Sequence, residues 1–173
     1  MKQLILIRHA KSGWDDLSAR DCDRDLNDRG RMDAPVMAAR LLSKGVIPDA
    51  MLVSSARRAR VTAGLIISKL DFPPDELQLK DELYLASAAE MLRLIRQTPD
   101  HVQNLALVGH NPGITELTNR LARTYIHNIP TCGIALMQLP IEQWQCAGSN
   151  AELVDFDYPN NQEQSRLGKI VAH

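Results

Sequence analysis

Residues 2–9 read Lys-Gln-Leu-Ile-Leu-Ile-Arg-His, an apolar run that ends abruptly in a guanidinium and an imidazole. The unbroken stretch Leu4–Ile7 marks a strand buried on both faces, the habit of parallel sheets. The arrangement recurs twice. Ala50-Met-Leu-Val53 runs into Ser54-Ser55-Ala56-Arg57-Arg58, and Asn104-Leu-Ala-Leu-Val108 runs into Gly109-His110-Asn111-Pro112-Gly113. Between these strands the pattern turns helical. A helix over Asp28–Lys44 places Met32, Val36, Ala39 and Leu42 at helical spacing, and Gly45 and Pro48 end it. A second helix fits Arg57–Leu70, before the Pro73-Pro74 break, and a short strand fits Leu77–Leu79. Ser87-Ala-Ala-Glu90 has capping-box spacing, so a third helix runs from about Ala88 to Gln97. Pro112 suits the first turn of a fourth, ending near Arg123. Ile134–Leu139 and Ala151–Phe156 read as strands without a helix between them, and the tail after Tyr158 reads as loop or a weak terminal element. Strands alternating with helices predict an α/β fold. It is expected to be one domain over residues 1–173, three-layer α/β/α, with a mainly parallel sheet.

Composition agrees. A chain of 173 residues with 45% apolar and 24% charged residues can build a real core, so disorder over most of its length is excluded. A net charge of −1 supplies no global field for nucleic acid or anionic membrane. The apolar runs fall far short of the ~20 residues that span a bilayer. The first residues lack the long apolar region and cleavage site of a signal peptide, so a cytoplasmic location is expected. Cys22, Cys132 and Cys146 are odd in number and widely spaced, which fits incidental thiols rather than disulfides or a zinc cluster.

In open α/β sheets ligands bind outside the carboxyl ends of the strands. If the three apolar strands are parallel neighbours, Arg8-His9, Arg57-Arg58 and His110 converge there, giving two imidazoles and at least two guanidiniums. Guanidinium forks match phosphate oxygens bidentately, and helix starts at Arg57 and Pro112 add free N–H donors. The collection predicts a phosphoryl site. Arg57 and Arg60 read as surface residues, as do His101, His127 and His173. Adjacent arginines repel a metal cation, so no metal and no cofactor is expected. What remains is nucleophilic chemistry. A neutral imidazole can attack phosphorus, and neighbouring guanidiniums disfavour its protonated form and stabilise the transferring charge.

These residues resemble a known family. Leu6-Ile7-Arg8-His9-Ala10-Lys11-Ser12 resembles the Arg-His-Gly strand end of the histidine phosphatase (phosphoglycerate-mutase-like) superfamily. Ser54-Ser55-Ala56-Arg57-Arg58-Ala59-Arg60-Val61-Thr62-Ala63 resembles its Ser-Pro-x-x-Arg-Ala-x-x-Thr-Ala segment, and Gly109-His110-Asn111-Pro112 its second histidine motif. Asp25-Leu26-Asn27-Asp28-Arg29-Gly30 resembles its entry to the first helix. Leu83-Tyr84-Leu85-Ala86-Ser87 and Pro130-Thr131-Cys132-Gly133 resemble the SixA-type branch, the small phosphohistidine phosphatases. The resemblance covers residues 1 to about 140.

It implies a phosphoglycerate-mutase-like fold with His9 as nucleophile, Arg8 and Arg58 gripping the phosphoryl group, and His110 as second pocket histidine. Ser12 and Asn111 are further expected contacts. Ala10 stands where relatives carry glycine, Ser55 where they carry proline, and Lys11 where many carry glutamate. Larger members insert helices and supply a glutamate as general acid. Here the stretch 71–85 is short, and Asp81 and Glu82 are the nearest acids, with a solvated loop as the simpler reading of both. The absence of a large lid insertion implies an open site, suited to a phosphorylated side chain on another protein and to hydrolysis. The expectation is a metal-independent phosphohistidine phosphatase. The alternatives are a phosphomonoesterase for small phosphate esters and a non-catalytic phosphoprotein-binding module. Neither nucleic acid nor membrane is an expected partner.

Overall fold

The apolar run at the N-terminus forms β1 (Lys2–Arg8), and its alternation divides the core. Leu4 and Leu6 enter one hydrophobic cluster and Ile5 and Ile7 the other, so the strand is buried on both faces. The other strands are β2 (Ala50–Ser54), β3 (Leu77–Lys80), β4 (Asn104–Gly109), β5 (Ile134–Leu139) and β6 (Glu152–Asp157). The helices are α1 (Asp28–Ser43), α2 (Arg57–Leu70), α3 (Ala88–Arg96) and α4 (Gly113–Ala122). This computed structural model describes residues 1–161; the rest of the expected tail, with His173, lies outside the described residues.

The strands form one sheet in the order β3-β2-β4-β1-β5-β6. β3, β2, β4 and β1 are parallel, and β5 and β6 each run antiparallel to the preceding neighbour. α1 and α2 contribute to the cluster on one face and α3 and α4 to that on the other, giving the expected α/β/α layers. Register pairs Ile7 with Val108 and Arg8 with Gly109, so His9 and His110 leave the sheet side by side. No helix among the described residues is long and apolar enough to cross a membrane.

Local chemistry sets the helix ends. The Asn27 side chain accepts from the Gly30 N–H at 2.9 Å and caps α1. At the other end Gly45 has φ +70, and the N–H groups of Gly45 and Val46 donate back to Leu42 and Leu41. Ser87 caps α3 by accepting from the Glu90 N–H at 3.2 Å. Pro112 is the N-cap of α4, one position before the expected place.

The face of α1 corrects the sequence reading. Met32, Val36, Ala39 and Leu42 all point outward, and Ala34, Met37, Ala38 and Leu41 are buried. The helix carries two apolar stripes. The stripe of small residues wins because Ala34 and Ala38 share a cluster with Ala59 and Ala63 of α2, against which α1 packs. The same closeness appears at Gly30, where an added Cβ would lie 2.2 Å from the Lys11 carbonyl oxygen. Gly30 thus fastens the start of α1 to the loop that follows His9.

Candidate active site

β1 and β4 end in a narrow, polar corner. His9 is 7% exposed and His110 2%, with ring centroids 5.1 Å apart. The His9 Nδ1–H donates to the Ala10 carbonyl at 2.7 Å. A carbonyl only accepts, so the proton is on Nδ1 and the lone pair on Nε2. The main chain holds the residue from both sides: its N–H donates to Gly109, and its carbonyl accepts from the Cys132 N–H. Ala10 is buried with a negative φ, so the missing glycine demands nothing unusual.

Arg58 lies in the first turn of α2 and is only 4% exposed. Thr62 ties it to the loop that follows His9: its hydroxyl donates to the Arg58 carbonyl at 2.7 Å and accepts from the Ala10 N–H at 2.9 Å. Arg8 Nη1 donates to the Ile129 carbonyl at 2.8 Å, while its buried Nε has no partner among the described residues. Burial lowers the Arg8 pKa. His110 Nε2 meets the Ser54 hydroxyl at 2.8 Å, and its buried Nδ1 likewise has no partner among the described residues.

Electrostatics follow from this packing. Burial, aided by the charges of Arg58, Arg8 and Arg24, takes His9 from 6.5 down to about 4. Burial, His9 and Arg58 lower His110 in the same direction. Both imidazoles are neutral near pH 7.

The structure brings together Arg8, His9, Arg58 and His110, from three strand ends that the sequence places far apart. Ser12 is held by Arg24, whose Nη2 donates to its hydroxyl at 2.8 Å. Asn111 is engaged by the scaffold. Its amide donates to Asn128 at 2.7 Å and to the Ile129 carbonyl at 3.0 Å, and its oxygen accepts from the Thr115 hydroxyl at 2.8 Å. Asp81 and Glu82 are exposed on the turn 81–83. Arg57 pairs with Asp25 at 3.2 Å, Arg60 donates to the Ser55 carbonyl at 2.9 Å, and His101 and His127 are exposed, in keeping with surface roles.

Four residues escaped the sequence reading as members of this corner: Asp21, Arg24, Ser54 and Tyr84. Arg58 donates to the Asp21 carbonyl at 2.7 Å and to its carboxylate at 3.1 Å. Arg24 donates to the same carboxylate at 3.2 Å, and the Tyr84 hydroxyl also donates to it. The Tyr84 ring stands edge-on to His110, with centroids 5.7 Å apart. The Tyr84 hydrogen bond, then Arg24 and Arg58, hold the Asp21 carboxyl down at about 2. Sequence spacing gave no signal for partners 37 and 63 residues apart.

Residues 4–108 match the family model of the histidine phosphatase superfamily (branch 1). An uncharacterised chloroplastic protein of Arabidopsis thaliana is 34% identical over 157 residues, covering 83% of this chain and 69% of that protein. An uncharacterised protein of Mycobacterium tuberculosis is 31% identical over 163 residues, covering 88% of this chain and 99% of that one. Among solved structures, a protein of Agrobacterium tumefaciens assigned as the phosphohistidine phosphatase SixA is similar with a TM-score of 0.78. It is 28% identical and covers 91% of this chain and 98% of its own.

Proposed function

The chain belongs to the histidine phosphatase superfamily, and on that premise we propose that it removes the phosphoryl group from phosphohistidine on a protein, through a covalent phosphohistidine at His9. Family membership and the likeness to the SixA structure support phosphatase activity. The observation that carries the mechanism is the Nδ1–H bond of His9 to the Ala10 carbonyl, which turns an unprotonated Nε2 outward as nucleophile.

In the first step the Nε2 lone pair attacks phosphorus. The bond from phosphorus to the substrate nitrogen breaks, and its electron pair leaves with the substrate imidazole, which takes a proton from solvent. In the second step water attacks the phosphorus on His9, loses a proton, and the P–N electron pair returns to His9. Arg8 and Arg58 balance charge on the equatorial oxygens throughout. The Ser54 hydroxyl accepts from the Ala56 N–H at 3.3 Å and is free to give its own hydrogen to His110 Nε2. In that tautomer His110 carries its proton on Nδ1, a donor for a phosphoryl oxygen.

A phosphohistidine leaving group needs less acid help than an alkoxide. That suits a site whose reachable carboxyl, Asp21, is ionised. Turnover of a phosphohistidine protein, compared with that of sugar phosphates, tests the substrate. Faster turnover of the protein supports the reading, and faster turnover of the esters favours a phosphomonoesterase. Oxyanion binding without turnover of either would mean a binding module. Turnover is expected to survive excess chelator, because guanidiniums supply the positive charge.

A further inference from the structure

Asp21 is the unexplained member of the corner. The charges of three guanidiniums bear on His9, those of Arg58, Arg8 and Arg24. Two of them, Arg58 and Arg24, donate to the Asp21 carboxylate. A phosphoryl group needs the same donors. The carboxylate also reaches solvent, with its side chain 41% exposed, so it can swing aside or share. Buried guanidiniums left without an anion would be costly. Asp21 therefore serves Arg58 and Arg24 as a counter-ion.

We infer that Asp21 is a resident anion that competes with the phosphoryl group for Arg58 and Arg24, and so sets the specificity of the site against bare oxyanions. This rests on the phosphatase reading above. Inorganic phosphate, the product, has only the donors of the pocket itself to hold it, chiefly the guanidiniums, and the carboxylate weakens that hold. A substrate on a larger molecule compensates with contacts outside the pocket. One platform for them is at hand: the exposed Trp14 ring lies over the Arg24 guanidinium at 3.4 Å. A resident carboxylate thus favours release of phosphate and a macromolecular substrate over a small one.

The test is Asp21→Asn, which removes the charge and leaves the main-chain carbonyl that Arg58 binds. The inhibition constants of inorganic phosphate and of tungstate are measured for wild type and variant at low and high salt. They are expected to tighten about tenfold in the variant, because one negative charge has left the pocket. The gain should shrink as salt is added, and the KM for a small phosphate ester should fall. Constants that are unchanged or weaker overturn the inference, since a purely structural aspartate would lower the melting temperature without tightening anion binding. Asp21→Ser is the second neutral variant if the first does not fold, with the same expectation. Asp23→Asn is the control: Asp23 lies in the same turn and pairs with Arg20 at 2.9 Å. An equal gain there would overturn the assignment to Asp21. Wild-type protein that neither turns over a phosphate compound nor binds an oxyanion sinks the phosphatase reading and this inference together. Normal wild-type turnover with unmoved constants in Asp21→Asn sinks only the role of Asp21.

Discussion

The two ends of the sheet treat buried charge differently. At the amino end Lys2 is 2% exposed, yet its ammonium donates to the Asp100 and Val102 carbonyls and lies near the Trp144 ring. At the surface of the same end, the exposed Asp49 carboxylate accepts from the N–H groups of Gln103 and Asn104 at 3.0 and 2.8 Å. Charge there closes on the protein's own backbone, and the group left over among the described residues is the neutral Thr98 hydroxyl. At the carboxyl end Arg8 Nε and His110 Nδ1 are buried without partners among the described residues. Leaving charged or strongly polar donors unsatisfied costs more than leaving a hydroxyl. The amino end is finished as structure, and the carboxyl end keeps donors open for an anion.

The largest expected effect lies at the carboxyl end. His9→Ala should lower turnover by about 10⁴-fold or more, since on the proposed mechanism it removes the atom that bonds phosphorus; steady-state kinetics would show it. Arg58→Ala should cost about 10²–10³-fold in kcat/KM by removing charge at the transferring oxygens. The pH profile sharpens the contrast further. The acid limb of kcat/KM should lie toward pH 4, not at the ordinary 6.5, because the free enzyme keeps His9 neutral down to about 4. The same depression has a sign for stability. Between 6.5 and about 4 the unfolded chain binds a proton that native His9 refuses, so this contribution is whole above 6.5 and is lost as pH falls. Denaturant melts across that window would check it.

Smaller effects belong to the scaffold. Gly30→Ala should destabilise by about 1–3 kcal/mol, because its methyl meets main chain and cannot be accommodated by a rotamer change. Activity should fall with it, since the displaced atom belongs to Lys11, two residues beyond His9. Lys2→Met should lower the melting temperature and leave turnover per folded molecule unchanged. A Lys2→Met loss of turnover as large as that of Arg58→Ala would erase the distinction between the two ends.

The strand ends were legible because burial on both faces leaves an unbroken apolar run, and each run stops where chemistry starts. Gly45 and Ser87 gave true helix ends because capping is local. The buried face of α1 was not legible. Met32, Val36 and Leu42 form as good a stripe as Ala34, Met37, Ala38 and Leu41, and only packing against α2 decides between them. Arg8, His9, Arg58 and His110 were readable from motifs at strand ends. Asp21, Arg24, Ser54 and Tyr84 were not, because their places depend on how a loop and a turn fold over the pocket. Asp81 and Glu82 are the nearest candidates for an acid in the stretch 71–85, whereas the acid that meets Arg58 is Asp21, from the loop after β1.

The central claim is that His9 carries the phosphoryl group. The most direct measurement mixes the protein with a phosphoryl donor, quenches it rapidly in alkali, which preserves acid-labile phosphohistidine, and locates the added phosphate by mass spectrometry. The account predicts phosphate on the His9 peptide of the wild type, chased away by water, and none in His9→Ala. Turnover of the donor with no phosphate on His9 would contradict it.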